Sequence, residues 1–141
     1  MPQIDRTIAK GQLVALSFNQ VAVAASQTNV QLFASEATGS PGNTEFIMPW
    51  AGEVIGISYA LTVAGSAGVF TIGPTINGTE VASLTQTVGT TTEGRAVVAR
   101  GTAAVAAGDN IGAEITTDGS WNGTTADLLV TVWVLQYLSG I

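Results

Sequence analysis

The side chains of this sequence that could carry acid–base chemistry are its carboxylates. Two carboxylates held close together could exchange protons with a substrate or flank a glycosidic bond. Here the acids are scattered over predicted turns and the polar sides of predicted strands: Glu36, Glu45, Glu53, Glu80, Glu93, Asp109, Glu114, Asp118 and Asp127. This distribution favours solvent-facing acids over a catalytic pair, and the spacing of Asp109 and Asp118 matches no common calcium-binding loop.

Histidine and cysteine are both missing from the sequence. Without histidine the chain lacks the commonest general base and the commonest zinc ligand, and its serines have no histidine to activate them. The sequence also contains no Gly-x-Ser-x-Gly motif, the usual setting of a nucleophilic serine in hydrolases. It therefore predicts a protein that is not an enzyme, with no catalytic residue, no metal site and no cofactor.

The composition is poor in charge for a protein of 141 residues. Charged residues make up 10% and hydrophobic residues 46% of the chain, whereas about 25% charged residues is usual. A monomer of this composition would have too little polar surface, so the composition favours a homo-oligomer or a bound partner. The net charge is −6, with Arg6, Lys10, Arg95 and Arg100 as the cations, which argues against nucleic acid or an anionic membrane as the partner.

The first residues resemble neither a signal peptide nor a membrane anchor. Asp5, Arg6 and Lys10 interrupt the place where a signal peptide would have its apolar core. The longest apolar stretch, Leu128–Leu138, is shorter than the roughly 18 residues that a membrane helix needs. We expect a protein made in the cytoplasm, with Met1–Gln12 as an extended arm.

The stretch Phe46–Val63 joins a turn to the clearest strand pattern in the chain. Met48-Pro49-Trp50-Ala51-Gly52 predicts a bend, and strict alternation follows from Glu53. One side of this strand carries the large residues Ile55, Ile57, Tyr59 and Leu61, which we expect in the core. The other side carries Gly56, Ser58 and Ala60, and small residues of this kind predict close approach by another layer or subunit.

The last predicted strand, Asp127–Leu138, is apolar on both sides. Leu128, Val130, Val132 and Val134 line one side, and Leu129, Trp133 and Leu135 line the other. A strand of this kind requires burial on both faces. We therefore expect one face to meet the core and the other to meet a neighbouring layer or subunit.

Three intervening segments carry clear local signals. Asn77-Gly78 predicts a tight hairpin that returns along Glu80–Leu84, and Pro74 places its strand at an edge or a bulge. The polar stretch Thr85–Gly94 predicts a peripheral loop. Trp121 lies in the turn-rich loop Asp118–Thr125, where core packing and a contact outside the subunit are equally compatible with the sequence.

Short strands separated by turns, with no helical periodicity, predict an all-β fold, namely an antiparallel β-sandwich of jelly-roll type. We expect residues 1–43 to form an N-terminal arm with peripheral strands, and residues 44–141 to form the sandwich. The residues predicted to lie at an interface are Ile4, Arg6, Leu13, Trp50, Gly56, Ser58, Ala60, Trp121, Leu129, Trp133 and Leu135.

Three motifs carry a resemblance to known proteins. They are Phe46-Ile-Met-Pro-Trp-Ala-Gly-Glu-Val-Ile-Gly-Ile-Ser, Ile76-Asn-Gly-Thr and Ala107-Gly-Asp-Asn-Ile-Gly. Together they make residues 44–138 similar to small jelly-roll structural proteins of tailed bacteriophages and, more distantly, to trimeric heads of the C1q and tumour-necrosis-factor type.

The resemblance implies a homotrimer that binds the major capsid protein on the outside of a phage head as a decoration (cement) protein. The location would be the capsid surface of the virion. Two alternatives remain open at this point. One is a self-polymerising subunit of an extracellular filament or sheath, and the other is a receptor- or sugar-binding tail-fibre tip that uses Trp121 and the Thr85–Gly94 segment.

Overall fold

The computed structural model describes residues 11–34 and 45–138, which form two antiparallel sheets packed face to face. The predicted all-β sandwich is therefore confirmed, while the jelly-roll topology stays a prediction. The strands are β1 (Gly11–Gln20), β2 (Val30–Gln31), β3 (Phe33–Ala34), β4 (Phe46–Ile47), β5 (Gly52–Leu61), β6 (Phe70–Ile76), β7 (Thr79–Glu80), β8 (Gln86–Val88), β9 (Glu93–Val97), β10 (Ala104–Val105), β11 (Asn110–Thr117) and β12 (Leu128–Tyr137). Within these ranges no helix is long and apolar enough to cross a membrane.

The first sheet, sheet A, has the order β10-β5-β12-β1-β3, with β9 also paired to β5. Its centre is β12, which pairs with β1 over ten residues, from Gly11 opposite Tyr137 to Gln20 opposite Leu128. Phe18 on β1 is fully buried. Strand β1 therefore belongs to the sandwich as an integral strand of this sheet, whereas residues 1–43 were predicted to form an arm with peripheral strands.

The second sheet, sheet B, has the order β2-β11-β6-β7, with β4 also paired to β11 and β8 to β6. The chain passes from sheet B to sheet A between β2 and β3, and the connecting Leu32 is buried between the two. An edge-to-face contact between Phe18 and Phe46, with ring centroids 5.4 Å apart, also joins the sheets. These contacts place Phe18 and Leu32 inside the common core.

Strand β5 contains a bulge that changes which of its residues face inward. Trp133 on β12 pairs with Gly56, but the next residue, Val134, pairs with Val54, so Ile55 has no partner of its own. Val54 and Ile57 are consequently both buried, and Ile55 is only half-buried. The prediction that Ile55 lies in the core is wrong for this reason, whereas Ile57, Tyr59 and Leu61 are buried as expected.

The hairpin after β6 has the predicted two-residue turn. Asn77 and Gly78 have φ values of 51° and 76°, as a type I′ turn requires, and Ile76 pairs with Thr79. The returning strand is shorter than expected, because a turn of 3₁₀ helix begins at Ala82. Pro74 accepts a hydrogen bond from Val81 through its carbonyl, so its missing N–H falls in the gap between β7 and β8. Strand β6 is paired on both sides and is not an edge strand, so this gap takes the place of the predicted edge or bulge.

The segment Thr85–Gly94 is not the peripheral loop that its polar composition predicts. It contains β8, which pairs with β6, and the first residues of β9, which pairs with β5. Val88 is buried in the core next to the equally buried Leu84. A single apolar residue among threonines was too weak a signal to predict this packing.

The three motifs behind the resemblance meet at one end of the sandwich. The Asn77 side chain donates to the Asp109 carboxylate (2.9 Å), and Asp109 also accepts from the Ala106 amide (2.8 Å). Met48 binds this turn through its backbone, donating to the Asp109 carbonyl and accepting from Gly108. Two hydrogen bonds hold the pKa of Asp109 below its ordinary value. The bond from the Asn77 side chain contributes more than the bond from the Ala106 amide.

Trp121 is a core residue of the sandwich rather than a surface contact. Its side chain is 3% exposed, its Nε1 donates to the Val23 carbonyl (3.1 Å), and its ring meets Phe70 edge to face at 4.8 Å. A Cβ atom on Gly65 would lie 2.3 Å from the indole, so the adjoining loop closes over the ring only because residue 65 is glycine. The interpretation of Trp121 as an external contact is therefore wrong.

The two tryptophans outside the strands provide a test of this packing. We expect Trp121→Ala to lower the free energy of unfolding by about 3–5 kcal/mol, because it leaves a cavity and an unpaired Val23 carbonyl. Trp50→Ala is the matched control, since Trp50 is 45% exposed, and should change the stability by less than about 0.5 kcal/mol. Urea unfolding of both variants measures the difference, and equal losses would contradict the assignment.

Candidate self-association surface

Seven of the predicted interface residues lie together on one surface, the side of sheet A that faces away from sheet B. We call this surface the outer face of sheet A. The seven residues are Leu13 on β1, Gly56, Ser58 and Ala60 on β5, and Leu129, Trp133 and Leu135 on β12. They lie on neighbouring strands, so the structure joins residues that are far apart in the sequence into one patch.

Cross-strand register defines the rows of this patch. Trp133 lies between Ala15 on β1 and Gly56 on β5, and Gly56 in turn lies beside Val97 on β9. Leu13 pairs with Leu135 in a neighbouring row. Apolar or small side chains therefore continue across four strands without a charged residue in the Trp133 row.

Gly56 creates a depression in the middle of the outer face. A Cβ atom at this position would lie 3.1 Å from the Ala96 carbonyl and 3.5 Å from Val97, so even alanine would be tight. The depression has a volume of about 440 Å³, and Leu13, Val97 and Trp133 are among the residues that line it. A projecting side chain from another molecule could enter it.

The exposure of the patch is high for apolar side chains. Val97 is 79%, Leu13 54% and Leu129 49% exposed. Isolated exposed apolar residues are ordinary, but a contiguous group on one sheet face usually marks a site of contact with another molecule. The predicted second apolar face of β12 is thus present, with Leu129 exposed and Trp133 and Leu135 half-buried by the described residues.

Trp133 is fixed on this face by a hydrogen bond. Its Nε1 lies 3.2 Å from Ser58 Oγ on the neighbouring strand. The indole N–H is satisfied within the subunit, so burial of the ring by a partner would leave no unpaired donor at this position. This arrangement reduces the polar cost of covering the outer face.

Charged residues lie at the borders of the outer face. Arg95 pairs with Ser58 and Glu93 with Ala60 along β9, and both are exposed. At the opposite border Glu53 is buried and forms an ion pair with Arg100, whose guanidinium lies 5.9 Å above the Tyr137 ring. The surface is therefore an apolar centre with a polar rim, the usual layout of a protein interface.

The remaining predicted interface residues do not belong to this patch. Ile4 and Arg6 lie outside the described residues. Trp50 is exposed at the bend between β4 and β5, and Trp121, within the Asp118–Thr125 loop, is buried. With Trp121 inside the core, the sugar-binding alternative loses the aromatic side chain on which it depended.

The outer-face residues that were missed from the sequence include Val97 and Ile55. The alternation Arg95-Ala96-Val97 weakly indicated a strand, but it did not indicate which face of that strand would be exposed. Ile55 reaches the surface only through the bulge opposite Trp133 and Val134. No local pattern identifies a bulge of this kind.

The carboxylates are not all solvent-facing, contrary to the sequence-based interpretation. Glu53 and Glu114 are both buried. On the outer side of sheet B, Glu114 accepts a hydrogen bond from Gln31 Nε2 (3.1 Å) and lies within hydrogen-bonding reach of Glu80. Burial, and secondarily the charge and hydrogen bond of Glu80, raise the pKa of Glu114 above its ordinary value.

The contact of Glu114 with Glu80 does not form a recognisable metal site. No group of three or more His, Cys, Asp or Glu side chains suited to a metal ion occurs in residues 11–34 and 45–138.

No protein-family model matches the sequence, and no curated protein matches it either.

The raised pKa of Glu114 gives a pH-dependent prediction. The folded state binds the proton of the Glu114 carboxyl group more tightly than the unfolded state does. The destabilisation caused by ionised Glu114 in the folded state is therefore absent at low pH and appears as the pH rises through the folded-state pKa. We expect Glu114→Gln, which keeps an acceptor for Gln31, to stabilise the protein more at pH 7 than at pH 4.

Urea unfolding at the two pH values measures this difference. Glu93→Gln is the matched control, because it removes the same charge from an exposed site on β9. A stabilisation by Glu114→Gln that does not depend on pH would contradict the assignment.

Proposed function

We propose that this protein is a non-enzymatic structural subunit that self-associates through the outer face of sheet A, as a homotrimer that decorates the outside of a phage head. The observation that carries the proposal is the contiguous apolar patch around Trp133, exposed on a chain in which only 10% of residues are charged. Covering this patch with other copies removes apolar surface from water.

A second copy suits this surface because the patch has both projecting and receding parts. Leu129 and Val97 project, whereas the surface recedes at Gly56. The rim carries both signs of charge next to each other, Arg95 and Glu93, so two copies can place opposite charges together in spite of the net charge of −6. Self-association then needs no partner of opposite net charge.

The assignment to a phage head rests on the sequence resemblance of residues 44–138. A decoration protein stabilises a shell by adding buried area across junctions between capsid subunits, and a trimer binds with the avidity of three linked sites. The partner would be the major capsid protein. Such a role needs no catalytic residue and no cofactor, and it accommodates a chain made in the host cytoplasm and carried on the capsid surface.

The self-association step is tested by charging the outer face. We expect the double variant Leu129→Lys, Val97→Lys to fold normally but to associate at least tenfold more weakly, because each copy would bury two new charges. Val69→Lys is the matched control, since Val69 is similarly exposed (53%) but lies outside the outer face. Light scattering across a concentration series gives the masses.

Three results of this experiment are decisive. A wild-type protein that stays monomeric at high concentration, or a double variant that keeps the wild-type mass, would overturn the proposal. Long fibres of wild-type protein in negative-stain images would favour the filament alternative over a closed trimer.

The capsid-binding step is tested separately with the N-terminal segment. Residues 2–10, which contain Ile4 and Arg6, are expected to contribute to docking, and their removal leaves every described strand intact. We expect the shortened protein to keep its oligomeric mass and its melting temperature but to bind undecorated heads of its phage at least tenfold more weakly. Co-sedimentation measures the binding, and unchanged binding would remove the segment from the docking site.

A further inference from the structure

The outer side of sheet B carries a row of buried polar side chains. Glu114 on β11 is 6% exposed and Thr75 on β6 is fully buried, although both side chains point away from sheet A. The Gln31 side chain joins them, because its Oε1 accepts a hydrogen bond from Thr75 Oγ1 (3.4 Å) and its Nε2 donates to Glu114 (3.1 Å). These two bonds form one end of a chain that continues through Glu114 to Glu80.

Glu80 reaches Glu114 across strand β6. Gly73 is the residue of β6 that pairs with Glu114, and a Cβ atom on Gly73 would overlap the Glu80 carboxyl group. The Glu80 carboxyl group therefore lies over the glycine, and it also accepts a hydrogen bond from Thr85 Oγ1. Glycine at this position provides the space in which the two acids meet.

The hydrogen-bond donors around the two acids indicate where a proton lies. Gln31 donates to Glu114 and Thr85 donates to Glu80, so each carboxyl group accepts a bond on the side away from the other. Two ionised carboxylates in contact repel each other, whereas a protonated Glu114 can donate to an ionised Glu80. The raised pKa of Glu114, with burial as its largest cause and the charge of Glu80 as the next, agrees with this arrangement.

The two acids have no positive neighbour among the described residues. Glu45 faces the same side of sheet B, since its Oε1 lies 3.0 Å from the place of a Cβ atom on Gly112. Strands β2, β6 and β8 and the turn before β8 contain no charged residue. Within residues 11–34 and 45–138 the two arginines belong to sheet A, where Arg95 lies on the outer face and Arg100 forms the ion pair with Glu53.

The segment that follows Glu80 is short and is held by local bonds. We call residues 81–85 the β7–β8 corner. The Val81 amide donates to the Pro74 carbonyl (2.8 Å), the Leu84 amide donates to the Val81 carbonyl (2.9 Å), and the Leu84 side chain is fully buried. Short segments of this kind open locally at a lower cost in free energy than long strand ladders do.

We propose that the contact between Glu80 and Glu114 is a pH-dependent switch that holds the β7–β8 corner on sheet B. With one proton between the two carboxyl groups the switch is closed, because Glu114 donates to Glu80. When that proton passes to water, two negative charges meet at a buried site, and the corner opens while the sheets stay folded. The switch lies on sheet B and does not depend on the proposed function, which uses sheet A.

Amide hydrogen exchange tests the switch residue by residue. The reporters are the amides of Val81 and Leu84, and the reference is the amide of Val54, which donates to Ala103 in sheet A. A group whose pKa is raised by folding stabilises the folded form below that pKa and loses this effect as the pH rises. After correction for intrinsic exchange, we therefore expect reporter protection to fall at least about threefold from pH 4 to pH 7, relative to the reference.

Glu114→Gln should remove this fall. The glutamine amide can accept from Gln31 and donate to Glu80 at both pH values, so it keeps the switch closed. Glu93→Gln is the matched control, because it removes the same charge from an exposed site on β9, and it should retain the wild-type response.

Gly73→Ala separates the two acids without changing any charge. The new Cβ atom would take the place of the Glu80 carboxyl group, which is the end of a flexible side chain and can move aside. We expect reporter protection in this variant to be low at pH 4, near the wild-type level at pH 7, and to change little between the two. Gly89→Ala is the matched control, since a Cβ atom there meets nothing within 4 Å, and it should behave as the wild type does.

Four results would overturn the switch. The first is an equal loss of protection at the reporters and at Val54 in the wild type, because that indicates global rather than local opening. The second is a pH response that survives Glu114→Gln, and the third is one that survives Gly73→Ala. The fourth is an altered oligomeric mass of Gly73→Ala in light scattering, because the corner would then take part in assembly.

Discussion

The structure depends on covering β12 on all four of its sides. Its two backbone edges are satisfied by long ladders with β1 and β5, and its inner face is buried against sheet B. The fourth side, which carries Leu129, Trp133 and Leu135, is only partly covered by the described part of the chain. A strand with two apolar faces favours burial of both, so this side is the largest unmet requirement of the described fold.

Local patterns predicted those features that depend on neighbouring residues. Alternation identified both faces of β12, and Asn77-Gly78 identified the hairpin, because side-chain direction and turn conformation are fixed within a few residues. Local patterns did not predict the features that depend on pairing or packing with residues distant in the sequence. The bulge at Ile55 follows from the register with β12, and the burial of Trp121 follows from packing against Phe70 and Val23.

Strand β1 also shows that pairing between distant strands cannot be predicted from local sequence patterns. Short apolar segments such as Leu13–Phe18 look peripheral in the sequence because nothing nearby completes them. Their partners lie more than a hundred residues away in β12. For the candidate site, the sequence supplied seven residues of the outer face, and only the pairing of β1, β5 and β12 revealed that they form one surface.

The three motifs that underlie the resemblance have a common structural role. Met48, Asn77 and Asp109 bind one another at one end of the sandwich. Their joint occurrence therefore reflects, at least in part, the requirements of closing that end, because each turn supplies partners for the backbone of the others. The outer face of sheet A is formed by β1, β5, β9 and β12 and not by these turns.

The pairing of β1 with β12 also orders events during synthesis. The centre of sheet A is missing until residues 128–137 have left the ribosome, although β1 emerges more than a hundred residues earlier. Until then both long neighbours of β12 have open apolar edges, and contacts between segments so distant in the chain form slowly. A nascent polysome would hold many such incomplete sheets close together, so the emergence of β12 sets the moment at which these edges become paired within one chain.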